Sequence, residues 1–116
     1  VEEAVRDEAD AIQAAARDAL ARADVVVLTG VAPRDVTPEA LRPLIEKELP
    51  GFGEAFRMLS FQEVGAAAIA SRALMGVRGG RLLVALPGSP DACRLALTRL
   101  VLPEAAHLVS QARRAA

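Results

Sequence analysis

Apolar residues recur at three- and four-residue spacing over residues 8–23, where Ile12, Ala15, Ala16, Ala19, Leu20 and Ala23 fall together and Arg17, Asp18 and Arg22 fall apart from them. That period predicts an amphipathic helix, with Asp7 as its N-cap or first-turn anion. The pattern then changes. Val25-Val26-Val27-Leu28 is apolar at every position before Thr29 and Gly30, as expected of a strand with both faces covered. After the loop 31–36, Thr37-Pro38 supplies a capping hydroxyl and a proline at the first helical position. Leu41, Leu44 and Ile45 form the inner stripe of that helix, and Leu49-Pro50-Gly51 is expected to stop it.

A further helical turn or two is expected over residues 53–59, and a helix over residues 66–75 that Gly76 and Gly79-Gly80 bring to an end. Residues 81–86 repeat the fully apolar strand pattern through Leu82, Leu83, Val84, Ala85 and Leu86. Ser89-Pro90 then repeats the cap-plus-proline start. In the helix that follows, Cys93, Ala96, Leu97, Leu100 and Val101 lie near one face. Pro103 is expected to interrupt it before a last helix over residues 104–114. The alternation predicts a three-layer helix–sheet–helix α/β domain with a mostly parallel sheet. Only two strands are clear, with residues 4–6 a weak third, and two strands make a poor sheet for so many helices.

A length of 116 residues suits one domain, 1–116. Hydrophobic residues make up 53% of it, so a core can form; aromatic residues are 3%, so that core is aliphatic. Few rings and a net charge of −1 leave neither stacking surface nor phosphate-tracking stripe, which argues against nucleic acid as partner. One cysteine and one histidine supply neither a disulfide nor a zinc set. No run approaches the ~18 apolar residues of a membrane span, and no signal-peptide pattern opens the chain. The expectation is a soluble cytoplasmic protein without a membrane partner. Met58 and Met75 read as core filler, Cys93 as packed, and His107 as satisfied or solvated.

Ligands of open α/β sheets bind beyond the C-terminal ends of strands, which directs attention to two segments. Gly30 is followed by Arg34, Asp35 and Thr37, where an acid could hold Mg²⁺ and a bridging phosphate. On spacing alone, Asp35 and Thr37 serve equally well as helix caps. At the other strand end, Gly88 lets a ligand approach backbone N–H groups near a helix start, and an ordinary turn would look the same.

Taken together, Thr29-Gly30, the run Pro33-Arg34-Asp35-Val36-Thr37-Pro38-Glu39-Ala40, Leu49-Pro50-Gly51-Phe52, Ser71-Arg72-Ala73-Leu74, Gly76-Val77-Arg78 and Leu86-Pro87-Gly88-Ser89-Pro90 resemble the signature of molybdopterin-binding domains. The likeness covers about residues 7–108. It is strongest to the family of molybdenum cofactor biosynthesis protein B and the molybdopterin adenylyltransferases. The residues after the glycine are unlike those of the related molybdotransferase and competence-damage domains.

The resemblance implies transfer of an adenylyl group from Mg²⁺-ATP to the terminal phosphate of molybdopterin, with release of pyrophosphate. It implies catalytic, Mg²⁺-binding roles for Asp7, although Arg6 replaces the family's proline there, and for Asp35. It implies substrate-binding roles for Gly30, Arg34, Thr37, Ser71, Gly88 and Ser89, with phosphate between the Gly30 loop and the Gly88-Ser89 turn. It also implies a homotrimer or homohexamer. An alternative is a molybdopterin-binding paralogue or oligomeric scaffold without adenylyltransferase activity. The family's first strand has no counterpart, and its glycine-rich loop is shortened here to Thr29-Gly30-Val31-Ala32-Pro33. The expectation is therefore a break between Thr29 and Pro33, and about 40–50 further residues near the front, from the usual size of such domains.

Overall fold

The computed structural model describes residues 8–30 and 37–115. Helix α1, Ala9–Leu20, buries Ile12, Ala16 and Leu20 at the predicted spacing. Strand β1, Val25–Leu28, follows. Helix α2, Thr37–Leu41, runs into a 3-10 turn at Arg42–Leu44. Leu41 and Leu44 are wholly buried and Ile45 packs beside them.

Four strands form the described sheet, in the order β1-β4-β3-β2. Strand β2 is Lys47–Glu48, β3 is Leu74–Arg78 and β4 is Arg81–Ala85. Only β1 and β4 run parallel; β3 is antiparallel to both β4 and β2. The sheet is mixed, not mostly parallel. The cause is a two-residue hairpin: Gly79 and Gly80 take φ of 58° and 76°, values that glycine reaches freely and that fit the right-handed twist of paired strands. The helix expected over residues 66–75 is instead a 3-10 segment, Gly65–Ala70, leading into β3.

Helix α3, Pro50–Val64, is longer than expected and starts where a stop was expected. Proline at the first turn removes an N–H that would have no helical partner there. Helix α4, Pro90–Ala96, continues through a π turn, Leu97–Val101, into α5, Leu102–Ala115. Pro103 therefore does not interrupt the rod. A proline in a helix leaves a carbonyl one turn back without its donor, and the wider turn just before it is a common accommodation of such a mismatch.

The two faces of β4 fill two separate cores. Leu83 and Ala85 pack with Leu74 against α1 and α2, while Val84 and Leu86 pack with Met75, Phe52, Phe56 and Ala96 from the other layer. This alternation produces the expected three layers. Val27 shares a register position with Val84 but is 37% exposed, so β1 is not fully covered on that face. Met75 is core, as expected. Met58 is not: at 65% exposure it stands opposite the buried Phe52, Phe56 and Ser60 of α3. No helix among the described residues is long and apolar enough to cross a membrane.

Gly76 has a packing reason of its own. A methyl group there would come within 2.5 Å of Ile45 Cγ2, so the bare backbone of β3 admits Ile45 to the core. Gly76→Ala is expected to destabilise the domain by about 1–3 kcal/mol, the usual cost of overpacking, read as a lower urea midpoint.

Candidate functional site

Sheet register gathers the motif segments at one end. Leu28 lies beside Ala85 and Ala85 beside Leu74, so Gly30, Gly88 and the Ser71-Arg72-Ala73 segment emerge from three adjacent strands on the same edge. Gly30 has φ of 100°, a conformation costly for any residue with a side chain. Gly88 lies against it: a methyl at Gly88 would sit 3.2 Å from the Gly30 Cα. The two strand-end turns thus touch backbone to backbone.

The Gly88 turn is held from its far side. The Ser89 hydroxyl accepts from the Ala92 N–H at 3.4 Å and caps α4, with Pro90 at the first turn. The Cys93 thiol donates to the Pro87 carbonyl at 3.0 Å. Burial pushes that thiol's pKa up, which keeps it in the protonated, donating form. Gly88→Ala is expected to weaken ligand binding at this end and to lower stability by about 1–3 kcal/mol, because the contact across the turn is backbone and cannot swing away. Binding titration and thermal unfolding of the variant check this.

Helix α2 is fixed beside these turns by several contacts. The Gln13 amide of α1 donates to the Ala40 carbonyl at 2.8 Å. The Arg78 guanidinium donates to the Leu44 carbonyl at 3.1 Å. Glu39 forms an ion pair with Arg72. Its hydrogen bond from Arg72 is the main reason that the Glu39 carboxyl is held below its usual pKa.

Of the expected site residues, Gly30, Gly88 and Ser89 come together, and Ser71 lies half-buried in the segment leading to β3 at the same end. Thr37 opens α2. Asp7, Arg34, Asp35 and the expected break between Thr29 and Pro33 lie wholly or partly outside the described residues, as does the weak strand at 4–6. Among the described residues, no group of three or more Asp, Glu, His or Cys side chains is placed to hold a metal ion. Arg72 and Glu39 were not singled out by sequence. The signal for them is strand alternation: Ala73 packs with the Phe56 core and Leu74 with the Leu41 core, which sends Arg72 to the α2 side.

Among the described residues, two clefts flank the sheet. One of about 150 Å³ lies near the motif end, between the start of α3 and Ala73, Leu74 and Met75, with Arg42, Glu48, Glu54 and Arg57 around it. A larger one, about 360 Å³, follows the β2 edge to the Gly79-Gly80 turn. Size favours the second, but strand polarity favours the motif end. Glu46, one of the few charged groups in the larger cleft, already accepts from the Gly79 N–H at 2.8 Å.

Residues 2–107 match the family described as "Probable molybdopterin binding domain". The chain is 48% identical to molybdenum cofactor biosynthesis protein B of Halalkalibacterium halodurans, over 92% of this chain and 66% of that protein. It is 50% identical to the protein of that name from Bacillus subtilis, over 97% of this chain and 69% of the relative. It therefore spans about two thirds of the length of these relatives. A crystal structure of molybdenum cofactor biosynthesis protein B matches with TM-score 0.91 at 41% identity, over 97% of this chain and 73% of that one. The tungsten cofactor synthesizing protein of Pyrococcus furiosus matches with TM-score 0.83 at 37% identity, over 92% and 71%.

Proposed function

The chain belongs to the molybdopterin-binding domain family, and from that premise we propose that it binds molybdopterin in molybdenum cofactor biosynthesis and adenylylates it with ATP. The observation that carries this reading is the contact of Gly30 with Gly88. Two glycine turns pressed together at the ends of parallel strands carry no side chain at their contact, and bare backbone of this kind lets an anion approach N–H groups closely. The Bacillus subtilis relative named for this biosynthesis matches over 97% of this chain, a span that takes in nearly all of it.

In this reading the Gly30 and Gly88-Ser89 turns seat the terminal phosphate of molybdopterin. Thr37 and Ser71 bind from the neighbouring segments, and Arg34 from the stretch of sequence between Gly30 and Thr37. Asp7 and Asp35 hold the Mg²⁺ that accompanies ATP and that neutralises nucleotide phosphates when bound. The chain's own contribution is placement: phosphoryl chemistry of this kind depends on orientation and charge stabilisation more than on covalent steps. The test is to mix the full-length polypeptide with ATP and molybdopterin and to follow pyrophosphate. Release with saturable pterin binding supports the reading. Binding without release leaves the binding-paralogue alternative standing.

A homotrimer or homohexamer belongs to the same proposal. Met58, Phe61 and Val64 follow one another along the outer side of α3, and Ile69 continues beyond it at 85% exposure. So much exposed apolar surface on one side suits burial against another copy. Phe61→Glu is expected to shift the sedimenting species towards monomer while leaving the far-UV spectrum unchanged. An unchanged oligomer would place the interface elsewhere.

A further inference from the structure

We propose that Arg72 is the phosphate-recognising side chain of this site and that Glu39 is its resting counter-ion, which a ligand phosphate displaces. The proposal rests on the functional reading above, and it adds a residue and an exchange to it.

Position comes first. Arg72 precedes β3, the second neighbour of β1 across β4. At a strand spacing of about 4.8 Å, the exits at Gly30, Gly88 and Arg72 fall within about 10 Å, the reach of one arginine side chain and a phosphate. Its direction is set by its neighbours. Ala73 packs with the core on one side of the sheet and Leu74 with the core on the other, and Arg72 meets Glu39 on the α2 side. That is the side on which α2 lies.

The second point is that the ion pair is not needed to hold α2. Leu41 and Leu44 are wholly buried, Gln13 binds the Ala40 carbonyl and Arg78 binds the Leu44 carbonyl. The Glu39 carboxylate is 61% exposed, whereas the Arg72 side chain is 28% exposed. An ion pair with one partner so open to water adds little to stability. It does hold a guanidinium extended, charged and partly dehydrated at the edge of the site. A guanidinium matches a phosphate monoester with two parallel hydrogen bonds, and a dianion competes well against a solvated carboxylate such as Glu39.

This exchange predicts opposite signs for two charge-removing variants. Arg72→Gln should weaken molybdopterin binding by about tenfold to a hundredfold, the effect of losing hydrogen bonds to a charged group. It should leave binding of the dephosphorylated pterin unchanged. Glu39→Gln should tighten molybdopterin binding by about twofold to tenfold, since the Glu39 charge no longer competes with the phosphate. Arg72→Lys should recover part of the loss, because the charge remains but the paired geometry does not. Mg²⁺-ATP, titrated separately against the same variants, shows whether the phosphate concerned belongs to the pterin or to the nucleotide; a response to either supports phosphate recognition.

If both variants weaken binding alike, with the dephosphorylated pterin equally affected, the pair is a structural clamp and the proposal falls. If Arg72→Gln binds both ligands as wild type does, it also falls. If wild-type protein binds neither pterin nor nucleotide, the functional reading itself fails and takes the role of Arg72 with it. Thermal unfolding of each variant confirms that the comparison is between folded proteins.

Discussion

Asp35→Asn is expected to lower adenylyl transfer to molybdopterin by about a hundredfold or more, with pterin binding largely retained. Asparagine keeps the size and hydrogen-bonding shape of aspartate and removes the charge that would hold Mg²⁺. A group whose charge matters most in the transition state shows its loss in kcat, with little change in ground-state affinity. The measurement is pyrophosphate release by the full-length polypeptide alongside a pterin titration. Turnover at the wild-type rate would make Asp35 a helix-start residue and nothing more.

The second large effect is on stability. Phe56 is wholly buried in the core that α3 and α4 form with the sheet. Phe56→Ala removes an aromatic ring from a core otherwise built mostly of aliphatic side chains, at a cost of about 3–5 kcal/mol. Native domains are stable by only about 5–15 kcal/mol, so the melting temperature should fall by more than about 10 °C. A fall of less than about 2 °C would mean that the core refills around the gap, and the two-core description would be wrong on that face.

The strands at Val25–Leu28 and Arg81–Ala85 are legible in the sequence because most of their side chains are apolar, the pattern of a sheet packed on both sides. Strand Leu74–Arg78 was hidden. The Ala-rich stretch before it reads as helix, and Gly76 reads as a break, whereas its bare backbone is what lets Ile45 enter the core. The Gly79-Gly80 pair carries the signal of a two-residue hairpin, and the same two glycines after an Ala-rich stretch equally suit a helix end. Lys47–Glu48 offered no signal at all, being a short and exposed edge strand that is defined only by its pairing with Val77 and Gly76. Two prolines misled for opposite reasons. Pro50 starts a helix where a stop was expected, and Pro103 is absorbed by a π turn.

The site was legible wherever it follows strand ends. Gly30 and Gly88 could be paired from sequence because parallel strands emit their loops on the same side. Arg72 and Glu39 could not. They are 33 residues apart, and their meeting depends on the antiparallel direction of β3, for which the residue pattern of that strand carries no signal.

The most direct test of the account is a crystal structure of the full-length polypeptide with molybdopterin bound. The account predicts the terminal phosphate seated across the paired Gly30 and Gly88-Ser89 turns, within hydrogen-bonding distance of their backbone N–H groups. A pterin lodged instead in the larger cleft along β2, beside Gly79-Gly80 and Leu108, with the glycine turns vacant, would contradict it.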